Sequence, residues 1–212
     1  MNSLGRILLL AALTSSTSLI AASLEVVVQD GKGAPVTDAV VYAIGNARGA
    51  AAKPVIIDQR DKQFVPYVTA LQVGTAVVFP NSDNIRHHVY SFSPAKRFEL
   101  PLYSGIPAEP VTFDKEGFVT LGCNIHDWMV AYVAVLPTPH FQVTGQDGRA
   151  VLHDLPPGSY NVLAWQPALK GAPEKFAQHV EVPIAKELLF NLDLKPDFRV
   201  QRTPALSSGG YR

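Results

Sequence analysis

The chain has 212 residues, 18 basic side chains against 18 acidic ones, and is 47% hydrophobic but only 17% charged. This supplies a packed core and excludes a disordered, solvating polymer; zero net charge excludes nucleic acid as the partner, since phosphate recognition needs an excess of Lys and Arg on one face. The 17 Pro and 15 Gly recur at short intervals, so long stretches free of helix breakers are scarce and an all-β protein is expected.

Residues 1–23 read as a signal peptide, with Arg6 ahead of an apolar run over 7–13 and a small-residue exit at Ala21-Ala22-Ser23. Thr14-Ser15-Ser16-Thr17-Ser18 interrupts that run, which falls short of the ~20 apolar residues a membrane anchor needs. No later stretch is apolar enough to span a bilayer. The expected product is soluble and exported, for example to a periplasm, where conditions are oxidising. There the single cysteine, Cys123, has no internal partner and must be buried, bridged to another chain or coordinating something.

Along the mature chain, residues 24–28 and 39–44 are β-rich and flank the turn Asp30-Gly31-Lys32-Gly33, which predicts a hairpin. Residues 46–53 read as a linker. Strands are expected at 55–58, 67–71, 75–80 and 88–92, then, after a less regular stretch over 94–110, at 111–113, 117–123 and 129–136. Pro137 and Pro139 close this run. From His140 the pattern restarts with FQVTG, AVLHDL and YNVLAW, separated by turns at Asp147-Gly148 and Pro157-Gly158, and continues at 178–182 and 187–194. Residues 197–212 have little apolar content and are expected to be a disordered tail.

The stretch Gly122-Cys123-Asn124-Ile125-His126-Asp127-Trp128-Met129 carries the spacing Cys-x-x-His-x-x-Met, three soft or borderline metal donors close together. Upstream, Asn81-Ser82-Asp83-Asn84-Ile85-Arg86-His87-His88-Val89 offers a second histidine at a strand edge. Thiolate and thioether favour Cu(I), imidazole serves both copper states, and a His₂Cys plane with a weak axial Met is an electron-transfer arrangement. Zinc shares the sulfur and nitrogen donors but rarely recruits methionine, so Met129 points to copper.

At these residues the sequence resembles the cupredoxin family of small blue copper proteins. The resemblance covers 54–137 and rests on the Asn-x-Asp loop ahead of a His and on Cys-x-x-His-x-x-Met before a last strand; the short ligand loop is similar to that of amicyanin-like members. The wording HHVYSFS and LGCNIHDWM is similar to exported proteins named for methylamine utilisation. The resemblance implies one type 1 copper held by His87, Cys123 and His126 in the plane and Met129 on the axis, with His88 an alternative ligand. It implies a Greek-key β-sandwich as well. Many family members place Asn after the first His ligand to tie the two ligand loops together; here that position is His88, and Asn124, Asn84 or Asp83 is left to supply the tie. Asn81 belongs to the same supporting loop. Asp127 is a loop residue or an acceptor orienting an imidazole; Ile125 and Trp128 form a partner-docking patch or pack beneath the metal.

The flanks, residues 24–52 and 138–196, resemble one transthyretin-like or carboxypeptidase-regulatory-like sandwich with the core pattern D-G-x-x-x-x-x-x-L-P-x-G-x-Y. A copper domain over 53–137 would then be inserted in, or adjacent to, this smaller sandwich, with insertion tolerated where the inserted termini lie close together. His140, His153 and His179 lack partners at ligand spacing and read as surface residues, and Tyr160 and Trp165 as core of the flanking sandwich. No second cysteine, paired-carboxylate signature or Gly-x-Ser-x-Gly elbow is present, and a complete ligand set leaves no open coordination position, so no enzymatic activity is expected. The expected function is single-electron transfer between redox partners, with a dehydrogenase or a cytochrome as the expected kind of partner. A copper carrier or buffer, and a structural or adhesive module with a vestigial metal site, are the alternatives.

Overall fold

A computed structural model describes residues 22–45, 53–107, 109–185 and 187–196; the expected leader up to residue 21, most of the expected linker and the expected tail lie outside the described residues. In chain order the strands are β1 (Ala22–Asp30), β2 (Val40–Ile44), β3 (Val55–Ile56), β4 (Asp58–Arg60), β5 (Gln63–Val65), β6 (Val68–Gln72), β7 (Thr75–Val78), β8 (His87–Ser93) and β9 (Lys96–Tyr103). They continue with β10 (Val111–Phe113), β11 (Gly117–Cys123), β12 (Val130–Leu136), β13 (Phe141–Val143), β14 (Arg149–Leu155), β15 (Gly158–Trp165), β16 (Gln178–Val182) and β17 (Glu187–Leu192). The protein is all-β, as its composition predicts.

The first and last strands share two sheets, ordered β14-β1-β17 and β13-β2-β15-β16. Strict alternation turns Leu24, Val26 and Val28 of β1 and Phe190 and Leu192 of β17 inward, into one core with Tyr160, Val162 and Val180. The hairpin predicted from β1 and β2 does not form, because β1 lies between β14 and β17 while β2 lies between β13 and β15. The turn does reverse the chain, giving a bridge between Gln29 and Pro35 and a bond from the Val36 N–H to the Val28 carbonyl. With both edges of β1 occupied, the chain then crosses to the other sheet.

The middle strands form a three-stranded sheet, β10-β7-β3, and a five-stranded one, β6-β12-β11-β8-β9. Val77, Phe79, Phe113, Val89, Leu121 and Val133 are among the residues that fill their common core. Val133 to Leu136 of β12 are all buried, which requires cover on both faces. Val68, Ala134 and Leu136 belong to the core of the flanking sheets, and Trp165 of β15 stacks on Phe118 of β11 with ring centroids 4.1 Å apart and planes 9° from parallel. Trp165 is thus core, as expected, but core between the two halves.

Two stretches hold more strand than the sequence reading assigned. Residues 96–103 are β9 despite Pro101, tolerated because β9 is the sheet's edge. Residues 58–65 are a two-stranded ribbon whose turn is Asp61-Lys62, without the Gly or Asn that signals such turns.

Candidate metal centre

Strand parity places the donors. In β11, Val119, Leu121 and Cys123 alternate inward, so Cys123 ends a row of core side chains and is 3% exposed. In β8, His87, Val89 and Ser91 face in and His88 and Tyr90 face the other side. Cys123 pairs with Val89 across the antiparallel ladder, which makes His87 its diagonal neighbour on the same face. Beyond Cys123 the chain leaves the sheet, and the Met129 N–H closes a turn onto the His126 carbonyl at 2.9 Å. That turn returns His126 to the thiol and sends Met129 into the core that holds Cys123, where it is 1% exposed.

His87, Cys123 and His126 each offer one donor atom, and these lie within 4.8 Å of one another; among the described residues no other group of three His, Cys, Asp or Glu does so. Cys123 Sγ is 3.8 Å from His87 Nδ1 and 4.0 Å from His126 Nδ1, and the two imidazole rings are 5.1 Å apart. His87 is fully buried and its Nε2 is 2.7 Å from Asp83 Oδ2. Burial raises the Asp83 carboxyl, but hydrogen bonds from His87 and from the Lys62 and Asp61 N–H groups outweigh it and hold the pKa below the usual value. An ionised carboxylate only accepts, so Nε2 carries the proton and donates it. That leaves Nδ1 as the ring nitrogen on the sulfur side, 3.8 Å from Cys123 Sγ, the position from which an imidazole with its Nε2–H held by a carboxylate ligates a metal.

His88 is excluded from the cluster by parity. It lies on the opposite face of β8, its side chain 12% exposed, with Nε2 2.9 Å from Glu99 Oε1 but outside hydrogen-bond geometry. Asn81 is buried and braces the loop, donating from Nδ2 to the Ile85 and Tyr103 carbonyls and accepting from the Asp83 N–H. Asp83 bonds to the β4–β5 turn and not to the Cys123 loop, while Asn84 and Asn124 are exposed. Asp127 is also exposed, and the acceptor orienting an imidazole is Asp83. Ile125 and Trp128 are 49% and 42% exposed, on the surface around the half-buried His126, whose ring is 5.1 Å from that of Trp128. His140, half-buried against Tyr160, His153 and His179 stand outside the cluster.

The sequence reading did not include Gln59 and Tyr103. The Tyr103 hydroxyl donates to the Phe79 carbonyl at 2.6 Å and accepts from Gln59 Nε2; burial pushes its pKa up to about 12. Tyr103 pairs with His87 across β8 and β9, so this buried network underlies the first ligand strand. Its signal was hidden in the stretch that Pro101 made look irregular.

Two converging imidazole nitrogens, a thiol sulfur and a thioether in the same core form a donor set that fits copper. No family model matches the chain, and a comparison with curated proteins finds none. Among solved structures, the chain is similar to an oxidised amicyanin mutant at 19% identity, over 39% of this chain and 81% of that one, with a TM-score of 0.36. It is similar to a purple cupredoxin from Nitrosopumilus maritimus at 24% identity, over 40% of this chain and 100% of that one, TM-score 0.34. The Cu-containing nitrite reductase of Thermus scotoductus SA-01 matches at 24% identity over 52% of this chain, TM-score 0.38, and the match spans 28% of that enzyme.

Proposed function

We propose that this protein binds one copper ion through His87, Cys123 and His126, with Met129 as a weak fourth donor, and carries single electrons between redox proteins outside the cytoplasm. The observation behind this reading is the convergence of the two Nδ1 atoms on the Cys123 sulfur, with the donor atoms of His87, Cys123 and His126 within 4.8 Å of one another. When bound, copper supplies a one-electron couple. The chain's part is to keep the donors still. His87 is locked by Asp83, Cys123 ends a core strand, and Met129 is buried, so little need move between oxidation states. His126 connects the cluster to the surface, where Ile125 and Trp128 offer an apolar landing for a partner. A non-catalytic role fits this closed donor set, and the expected leader fits export.

The test is titration of the mature protein with Cu(II), followed by visible absorption and electron paramagnetic resonance on wild type and Cys123→Ser. An intense copper–thiolate band, absent from Cys123→Ser and bleached and restored reversibly by a reductant and an oxidant, is expected. A band that never forms removes the reading. A band that forms but cannot be cycled, with copper passing quickly to a chelator, makes the protein a carrier.

A further inference from the structure

The β4–β5 ribbon turns at Asp61 and Lys62, both non-glycine residues at positive φ, 54° and 59°. Left-handed backbone is disfavoured for a residue with a Cβ, and asparagine–glycine is the usual solution for such a two-residue turn. A Lys held there calls for a compensating contact. That contact is Asp83: the Asp61 N–H donates to Oδ1 at 2.7 Å and the Lys62 N–H to Oδ2 at 2.9 Å. Oδ2 also faces His87 Nε2.

The ribbon itself is fixed. Ile57, just ahead of it, and Phe64 are buried in the core of the middle sheets. Backbone bonds from the Gln59 N–H to the Pro80 carbonyl and from the Ser82 N–H to the Gln59 carbonyl lay β4 alongside the ligand loop. Asp58 accepts from the Ser82 hydroxyl at 2.9 Å. The turn's two N–H groups are thereby aimed at the carboxylate by a scaffold anchored in the core.

We infer that the Asp61-Lys62 turn is a positioning device for the metal centre: its paired N–H groups clamp the Asp83 carboxylate, which fixes the orientation and the Nε2–H tautomer of His87 before metal binds. The inference rests on the copper reading for its purpose but not for its geometry. A carboxylate held on Nε2–H makes the imidazole a stronger donor and stabilises the more highly charged metal state, so releasing the clamp raises the reduction potential.

The experiment has a metal-free arm and a copper arm. In the metal-free protein, amide exchange by NMR is expected to show protected Asp61 and Lys62 N–H groups on an otherwise solvent-facing turn, and nitrogen shifts to show His87 protonated at Nε2. In Asp83→Asn, exchange at both amides is expected to speed up by about tenfold or more. In the copper arm, Asp61→Asn with Lys62→Gly, which keeps both N–H groups in a relaxed turn, is expected to retain the wild-type potential. Asp61→Val with Lys62→Val, which opposes positive φ, is expected to raise it, as Asp83→Asn does, and to add little when combined with Asp83→Asn. A folded double-valine variant with wild-type potential and His87 tautomer overturns the clamp. If that variant does not fold, exchange at residues 61 and 62 unchanged by Asp83→Asn overturns it instead. A wild type without a copper–thiolate band defeats the copper reading, while the metal-free arm still decides the clamp.

Discussion

Trp165→Ala removes a side chain 8% exposed that stacks on Phe118 and meets Tyr132 edge-on with centroids 6.4 Å apart. Truncating a buried Trp costs about 3–5 kcal/mol, of which a well-placed aromatic pair accounts for roughly 0.5–1.5 kcal/mol. At ~2–4 °C of Tm per kcal/mol for a chain of this size, the midpoint should fall by roughly 6–20 °C. Because Trp165 belongs to the flanking sheets and Phe118 to the five-stranded sheet carrying Cys123, the loss should be shared by both halves. The assay is calorimetry with parallel melts followed by far-ultraviolet circular dichroism and, in copper-loaded protein, by the thiolate band. A double-mutant cycle with Phe118→Ala isolates the stack, with an expected coupling of about 0.5–1.5 kcal/mol. Zero coupling, or a thiolate-band midpoint that stays put while the flanking sheets melt earlier, would refute the reasoning: the two halves would then be separately stable.

His87→Ala is expected to abolish the copper–thiolate band, whereas His88→Ala should keep it and change stability by less than about 1 kcal/mol, since its partner Glu99 is 63% exposed; the reverse pattern in the spectra would invalidate the strand parity. Trp128→Lys should leave the spectrum intact but slow electron self-exchange, measured by NMR line broadening, by about tenfold, the factor that ~1.4 kcal/mol of encounter free energy represents, and an unchanged rate would place the docking face elsewhere. Burial raises the Asp58 carboxyl, but hydrogen bonds from Arg60, Ser82 and the Gln59 N–H lower it by more, so the folded-state pKa lies below the usual value. A depressed folded pKa gives stability that is present above the unfolded pKa of ~3.9 and lost as pH falls through the folded value. The stability gap between wild type and Asp58→Asn in urea titrations should therefore be constant above pH ~5 and shrink below pH ~4; a gap independent of pH would count against the ion-paired carboxylate.

Most strands were legible because period-two alternation is a local property. The predicted 117–123 strand coincides with β11, and 111–113 with β10. The strands that were missed broke a local rule for a nonlocal reason. Pro101 is acceptable only because β9 has no neighbour on one side, and the Asp61-Lys62 turn stands only with Asp83 beneath it. The predicted β1–β2 hairpin failed for a related reason: a turn reverses the chain, but the strands already holding both edges of β1 decide where the next one goes.

The sequence by itself determined the donor chemistry. Cys123, His126 and Met129 lie within one short loop, and their sulfur and nitrogen atoms narrow the metal whatever the fold. It also offered two adjacent histidines, and chain order alone could not choose between them. Tertiary structure made that choice, because Cys123 and its partner in β8 are 36 residues apart and only the pairing of Cys123 with Val89 sets which face is shared. Orientation was likewise decided in three dimensions. A carboxylate four residues before His87 has no defined direction along the chain, and it becomes the acceptor for Nε2–H only when a ribbon from another part of the sequence presents two N–H groups to hold it.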